Sequence, residues 1–148
     1  MVYAVISALL ALFDLWTKRI AHISGFAGME DYTYGLFRFT LKENRGIAFS
    51  MLSSKPELLN ILNIILLLSI LAIMLIGKGS RLFKTGLCLI IGGGAGNFIN
   101  RLINGAVTDF IEPTFVRFAV FNAADVFICL GAFLAAVAIL FVKKEKQR

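Results

Sequence analysis

The chain has 148 residues, of which 59% are hydrophobic and 16% are charged, and its formal net charge is +6. With a mean hydropathy of +0.85, this composition excludes an ordinary soluble domain and indicates a membrane protein. The Lys and Arg residues stand at the ends of apolar segments rather than along one soluble face. We therefore expect anionic lipid headgroups, and not nucleic acid, as their counterpart.

The cysteine and histidine content argues against disulfide and metal chemistry. Cys88 and Cys129 each lie within an apolar run, where a free thiol behaves as a small hydrophobic group. His22 is the single histidine, which leaves too few ligands for a zinc site. We expect no metal and no cofactor. Internal repeats and low-complexity tracts are also absent from the sequence, so residues 1–148 are interpreted as one integral-membrane domain.

The first apolar segment runs from Val2 to about Ile23. It is predicted to be a retained helix rather than a signal peptide, because its charges follow the apolar run. Asp14 and Lys18 share one face of this helix, at the i,i+4 spacing that allows an ion pair. Two interpretations stay open, namely a salt bridge at a helix end near the headgroups or a part of a functional site.

A polar stretch of roughly thirty-five residues follows, and a stretch of that length must contain its own structure or be functional. Leu36 to Lys42 alternates apolar and polar residues, which predicts a half-exposed strand. Asn44-Arg45-Gly46 is typical of a turn, since Asn and Gly tolerate positive φ. Ile47 to Leu52 is then predicted to be a short apolar return.

Three further apolar segments are predicted to span the membrane as helices. A capping-box spacing from Ser54 to Glu57 marks the start of the second helix. The basic connection at 77–84 and the KKEKQR tail indicate the cytoplasmic side. The chain is thus predicted to be an all-α membrane protein with four transmembrane helices and both termini in the cytoplasm. The predicted bounds of the later helices are Leu58–Ile76, Leu82–Leu102 and Ala123–Val142.

Polar residues from four segments are predicted to reach one level of the membrane. At 1.5 Å per residue, Asp14 lies roughly 20 Å up the first helix and Asn97 roughly 22 Å up the third, in the outer half of a core about 30 Å thick. Arg101 lies one turn beyond Asn97, and Asp125 begins the fourth helix on the same side. Asp109 and Asp125 stand in the apolar runs VTDFI and AADVFI, where a carboxylate is expensive and usually functional.

A close pair of Asp109 and Asp125 would have the protonation states of an aspartyl protease. Two neighbouring carboxylates do not both ionise easily, so one keeps its proton at neutral pH. The ionised member takes a proton from the attacking water, while the protonated member donates to the carbonyl oxygen. The same pair would also serve a small proton-coupled transporter or channel. A Ser54/Lys55 dyad is a weaker interpretation, because helix capping explains both residues.

In four motifs the chain resembles lipoprotein signal peptidase (signal peptidase II), a bacterial family of four-helix membrane aspartyl proteases. The motifs follow the family's order over most of the length: FDLWTK at Phe13–Lys18, NRGIAFS at Asn44–Ser50, GGGAGNFINRLINGAVTDFI at Gly92–Ile111 and FNAAD at Phe121–Asp125. The resemblance implies that the substrates are prolipoproteins whose cysteine carries diacylglycerol. It also implies that cleavage occurs on the amino side of that cysteine.

The resemblance further implies residue roles and surroundings. Asp109 and Asp125 are expected to form the catalytic dyad. The expected lining and supporting residues are Asp14, Lys18, Asn44, Gly46, Asn97, Arg101 and Asn122. The family's small extracytoplasmic β platform, between helices 1 and 2, corresponds to the strand predicted at 36–42. We expect a monomer in the bacterial cytoplasmic membrane, with its site near the outer leaflet and with prolipoproteins and membrane phospholipids as partners.

One residue departs from the family pattern. The family usually has aspartate immediately before the arginine that matches Arg101, and this chain has Asn100. The amide keeps a similar shape but removes a negative charge beside the guanidinium. Arg101 would then orient a substrate carbonyl, a lipid phosphate or another carboxylate. Because both dyad aspartates are present, we predict an active enzyme, with a homologue that binds precursors without cleaving them as an alternative.

Overall fold

The computed structural model describes residues 1–24, 33–46 and 56–145. It contains four long helices and a small antiparallel sheet. The elements in chain order are α1 (Val2–Ile23), β1 (Thr33–Tyr34), β2 (Phe37–Asn44), α2 (Pro56–Ile76), α3 (Arg81–Asn104), β3 (Val107–Pro113) and α4 (Ala123–Glu145). The prediction of a mostly helical protein with a small β element is therefore confirmed.

Three of the helices have the length and composition to cross a membrane. In the part of the chain that the structure describes, these are α2, α3 and α4. α1 has 22 residues but carries Asp14, Lys18 and Arg19, and these charges make its composition less apolar. The outer faces of the helices bear exposed large apolar side chains, among them Leu9, Leu66 and Leu140, as expected for helices that contact lipid. The fourth membrane crossing stays a prediction.

α3 lies at the centre and contacts each of the other helices. Glycine allows its backbone to approach α4 closely. A β-carbon at Gly86 would lie 2.6 Å from the carbonyl oxygen of Gly131, and one at Gly131 would lie 2.5 Å from the carbonyl oxygen of Gly86. Nearer the other end of α3, a β-carbon at Gly93 would lie 2.5 Å from the carbonyl oxygen of Ala124. The two helices therefore cross with their backbones in contact.

The sheet has the order β1-β2-β3, with both pairs antiparallel. β2 corresponds to the strand predicted from alternation at Leu36 to Lys42, although it continues to Asn44. Its partner β3 lies in the connection between α3 and α4, where no strand was predicted from the sequence. β3 forms by pairing with β2, in a register that sets Lys42 opposite Asp109 and Arg38 opposite Glu112.

The ends of the helices show how the chain enters the sheet. Ser80 caps α3, with its side chain accepting a hydrogen bond from the amide of Phe83 at 3.2 Å. α3 ends at Gly105, whose φ of 72° turns the chain directly into β3. α2 begins at Pro56, two residues before the predicted start at Leu58. The predicted apolar return at 47–52 and the predicted cap at residue 54 lie outside the described residues.

Candidate active site

Asp125 is fixed by a reciprocal hydrogen-bond pair at the start of α4. The amide of Asp125 donates to Asn122 Oδ1 at 3.1 Å, and the amide of Asn122 donates to Asp125 Oδ2 at 3.1 Å. This is the arrangement of a capping box, in which the residue before the helix and the third helical residue bond each other's backbone. The helix start therefore orients the Asp125 carboxylate by a local contact.

Asp109 comes from the buried part of β3 and is held by two amides. Asn122 Nδ2 donates to Asp109 Oδ1 at 2.6 Å, and Asn44 Nδ2, from the end of β2, donates to Asp109 Oδ2 at 3.1 Å. The Asp109 side chain is 3% exposed. Asn122 bonds Asp109 through its side-chain amide and Asp125 through its backbone amide. The two carboxylates therefore lie on either side of one residue.

Asn97 of α3 connects Asp125 to the first helix. Its Nδ2 donates to Asp125 Oδ1 at 2.9 Å, and its Oδ1 accepts from Lys18 Nζ at 2.6 Å. A lysine ammonium has donors only, so Lys18 requires the oxygen of the Asn97 amide to face it. The Asn97 nitrogen must then face Asp125.

Asp14 and Lys18 are buried inside the helix bundle. Their side chains are 0% and 2% exposed, and Lys18 Nζ lies 2.6 Å from Asp14 Oδ2. Asp14 Oδ1 accepts a hydrogen bond from the amide of Ala124 at 2.9 Å. A β-carbon at Gly96 would lie 2.5 Å from Asp14 Oδ2, so the glycine makes room for this pair. Of the two interpretations left open by the sequence, burial beside the start of α4 supports the one that joins the pair to the site.

Gly46 and Arg101 are hydrogen-bonded to each other near the end of β2. Arg101 Nη2 donates to the carbonyl oxygen of Gly46 at 3.0 Å, and the amide of Gly46 donates to Asn44 Oδ1 at 3.0 Å. Within the described residues, Arg101 Nε is buried and has no hydrogen-bond partner. Arg101 therefore holds one end of the sheet while keeping a donor unused.

Both aspartates line a cavity of about 320 Å³ between α2, α3 and the sheet. One part of its wall is polar and consists of Asn44, Gly46, Asn63, Asn97, Arg101, Asp109 and Asp125. The other part is apolar and consists of Leu59, Leu62, Leu66, Leu67, Ile70, Ile90, Val107 and Ile128, with Gly94. An extended apolar chain with one polar, reactive group would match this division.

The electrostatics of Asp109 favour a carboxyl that holds its proton. Burial, followed by the negative charge of Asp125, raises the pKa of Asp109 from its ordinary value of 3.8 to about 6. The hydrogen bonds from Asn44 and Asn122 and the positive charge of Lys18 oppose this rise. At and below about pH 6 the pair can thus hold one proton, as acid–base catalysis by two carboxylates requires.

The candidate metal ligands of the chain do not form a cluster in the parts that the structure describes. No group of three or more His, Cys, Asp or Glu side chains is close enough to hold an ion among residues 1–24, 33–46 and 56–145. The chemistry that the site offers from its own residues is proton transfer between carboxyls and water.

Three residues around Asp109 were not predicted to support the site. Thr108 is buried, and its amide donates to Asn100 Oδ1 at 2.7 Å. Its hydroxyl lies 3.1 Å from His22 Nε2. Asn100 was noted only as a departure from the family pattern, and His22 only as a single histidine that leaves too few ligands for a zinc site. The adjacency of Thr108 to Asp109 is the one signal in the sequence that could have indicated its position.

Comparison with known proteins assigns the chain to a family. The family model described as Signal peptidase (SPase) II matches residues 6–141. A lipoprotein signal peptidase of Halalkalibacterium halodurans is 34% identical over 151 residues, which cover 97% of this chain and 91% of the relative. One from Nostoc punctiforme is 41% identical over 105 residues, which cover 70% of this chain and 66% of the relative.

A solved structure agrees with the sequence relatives. A bacterial membrane enzyme, determined by the in meso method at 2.3 Å resolution, has a TM-score of 0.85 and 28% sequence identity to this chain. The similarity covers 98% of this chain and 91% of the enzyme. The chain therefore belongs to the signal peptidase II family of peptidases.

Proposed function

We propose that Asp109 and Asp125 are the catalytic dyad of a lipoprotein signal peptidase. In this proposal the enzyme removes the signal peptide of diacylglyceryl-modified prolipoproteins and cuts on the amino side of the modified cysteine. The single observation that carries the assignment is the bonding of Asn122 to both carboxylates at the wall of one cavity. Two carboxyl groups that share one hydrogen-bond donor residue are placed to act on one peptide bond.

The proposed reaction begins with a proton on Asp109 and none on Asp125. Asp125 takes a proton from water as the water oxygen attacks the peptide carbonyl carbon, and Asp109 gives its proton to the carbonyl oxygen. The product of this step is a neutral gem-diol. Asp125 then protonates the leaving amine nitrogen, while a gem-diol hydroxyl returns a proton to Asp109 as the C–N bond breaks. Both carboxyls end in their starting states.

The environments of the two aspartates support this division of roles. Asp109 is the more buried of the two, and its pKa is raised to about 6. Asp125 lies in the first turn of α4, where the helix dipole favours a negative charge. Both of its oxygens also accept hydrogen bonds, from Asn97 and from the amide of Asn122.

The proposed substrate position follows the two parts of the cavity wall. Its leucine and isoleucine side chains would contact the apolar end of the signal peptide and the acyl chains of the modified cysteine. Arg101, with Nε unused in the described structure, would donate to a carbonyl or phosphate oxygen of the bound precursor.

The proposed setting is the bacterial cytoplasmic membrane. In this proposal α1 is a fourth membrane span, residues 1–148 act as one domain, and both termini lie in the cytoplasm. The basic 77–84 connection supports this orientation. The site then lies near the outer leaflet, the sheet is extracytoplasmic, phospholipids surround the helices, and a monomer contains the complete dyad.

The testing experiment is incubation of purified protein with a diacylglyceryl-modified precursor, followed by mass measurement of the products. We expect one cut before the modified cysteine, and we expect Asp109→Asn and Asp125→Asn each to abolish it. Glu112→Gln is the matched control, because Glu112 is a carboxylate of the same strand that pairs with Arg38 at a partly exposed position. That variant should keep wild-type turnover.

The outcomes separate the candidate functions. Undiminished turnover in either aspartate variant would remove that residue from the dyad. Binding of the precursor without cleavage would indicate a noncatalytic homologue. Proton or solute transport in liposomes without any cleavage would indicate a transporter.

A further inference from the structure

Thr108 connects three parts of the molecule behind Asp109. Its amide donates to Asn100 Oδ1 of α3 at 2.7 Å, and its carbonyl oxygen accepts from Asn122 Nδ2 at 3.4 Å. Its hydroxyl lies 3.1 Å from His22 Nε2, in the last turn of α1. The backbone of the residue before Asp109 is thus bonded on two sides, and its side chain is bonded on a third.

Of these three bonds, the one between the Thr108 hydroxyl and His22 uses the side chain of Thr108. Thr108 is 2% exposed, and a buried hydroxyl that loses its hydrogen-bond partner destabilises the fold. His22 lies at the exposed end of α1 and reaches inward to this hydroxyl. The contact therefore joins the end of the first helix to the strand that carries Asp109.

The Thr108 side chain points away from the cavity that Asp109 lines. Successive side chains of a strand point to opposite faces of the sheet. Thr108 faces His22, so Asp109 faces the other way, toward the cavity that it lines. His22 does not line that cavity in the described structure. An effect of this contact on catalysis accordingly acts through the position of β3.

We infer that His22 and Thr108 are positioning residues, whose contact fixes the part of β3 that presents Asp109 to the substrate. This inference rests on the proposed function, because it requires Asp109 to be catalytic. A misplaced carboxyl slows the chemical step while substrate binding in the apolar part of the cavity is retained. The contact should therefore affect kcat and leave KM unchanged.

The test compares variants that remove the contact with variants that keep it. His22→Leu and Thr108→Val remove one partner each at similar volume, and each should lower kcat about 10-fold with KM within about twofold of wild type. His22→Gln keeps a nitrogen at similar reach, and Thr108→Ser keeps the hydroxyl, so both should recover most of kcat. The His22→Leu/Thr108→Val double variant should be no slower than the slower single variant, since both changes break one contact.

Controls separate this inference from general damage and from the proposed function. Thr85→Val is the matched control, because among the described residues the Thr85 hydroxyl bonds its own helix, at the carbonyl oxygen of Arg81. This variant should leave kcat unchanged. Wild-type kcat in His22→Leu, multiplicative losses in the double variant, or a rise in KM alone would overturn the positioning role. If Asp109→Asn abolishes turnover in the same assay, the proposed function survives that failure. Turnover by Asp109→Asn would overturn both the positioning role of His22 and Thr108 and the proposed catalytic role of Asp109.

Discussion

The two aspartates of the site are held in different ways. Asp125 lies in the first helical turn and is bonded by Asn122, three residues before it in the chain. Asp109 lies on a strand and is bonded by Asn44, which precedes it by 65 residues, and by Asn122 across the site. One carboxylate is thus oriented mainly by local structure, and the other by assembly of the sheet.

This difference predicts which substitutions should displace each aspartate. A helix start keeps its own geometry as long as the helix forms. A strand keeps its position only while its partners are present, because its hydrogen bonds come from distant segments. We therefore expect changes around Asp109 to act through tertiary contacts. Changes around Asp125 should act through the few side chains that meet it.

Lys18→Met should have the largest effect and would disturb the Asp125 side. The change leaves the Asp14 carboxylate buried without its ammonium partner, and removing one member of a buried ion pair costs about 3–5 kcal/mol. It also removes the group that orients Asn97 toward Asp125. Thermal unfolding in detergent measures the stability loss. An Asp14→Asn/Lys18→Met double variant should recover much of it, and a single variant as stable as wild type would contradict the buried pair.

Asn122→Ala should affect both carboxylates at once. It removes the side-chain bond to Asp109 and the oxygen that accepts the Asp125 amide. A displacement of about 1 Å in a reacting group can lower the rate about 100-fold, and we expect a loss of kcat of that order with precursor cleavage as the assay. Asn104→Ala, at the exposed end of α3, is the control and should stay within about twofold of wild type. Equal activities of the two variants would show that Asn122 does not hold the dyad.

The pH dependence of stability should report the raised pKa of Asp109. The pKa of Asp109 is raised from 3.8 to about 6 in the folded protein, so folding favours its protonated form. Its stabilising contribution is present below about pH 4 and is lost as the pH rises through about 6, by at most about 3 kcal/mol. Unfolding measured across this range should therefore show wild type losing stability relative to Asp109→Asn.

Asp125→Asn refines the same measurement. The charge of Asp125 is one cause of the raised pKa of Asp109, so removing that charge should lower this pKa and reduce the stability lost above pH 4. A pH profile that is identical in wild type and Asp109→Asn would mean that burial does not shift the pKa of Asp109.

Asn100→Asp should have the smallest effect, because it restores the family residue without changing a contact. A carboxylate oxygen can accept the same hydrogen bond from the amide of Thr108. Neighbouring side chains on a helix do not face each other, so residue 100 does not meet the Arg101 guanidinium directly. We expect kcat/KM within about threefold of wild type. Asn100→Ala, which lacks the acceptor, should be slower than both, and a tenfold gain in Asn100→Asp would contradict this account.

The helices were readable from the sequence because their signals are local. The first helix has the predicted bounds, Val2–Ile23, and the last begins at the predicted Ala123. The alternation at 36–42 identified β2, although burial along the strand does not alternate. Phe37, Lys42 and Glu43 are exposed, and the other residues of β2 are partly buried. The spacing from Asn122 to Asp125 is that of a capping box and is visible in the sequence. The prediction for Asp125 rested instead on the apolar run around it.

The strand β3 and its contacts could not be read in the same way. Most of β3 is buried on both faces, so Val107 to Phe110 shows no alternation. The bond from Asn44 to Asp109 exists only once β2 and β3 pair. Counting residues along the helices predicts one membrane level for Asp14, Asn97 and the two aspartates. Such a count does not identify the hydrogen bonds by which Lys18 and Asn122 link them.

The glycine crossing of α3 and α4 has a mechanical consequence for the site. At Gly86 and Gly131 the two backbones touch without an intervening side chain, and they touch again where Gly93 meets Ala124. A methyl group added at Gly86 must separate the backbones there, which tilts α3 about the second contact. Asn97 lies four residues beyond Gly93, about 6 Å along the helix axis. A tilt of about 5° would move Asn97 by about 0.5 Å and lengthen its 2.9 Å bond to Asp125. A substitution far from Asp109 and Asp125 can in this way weaken a contact that holds one of them.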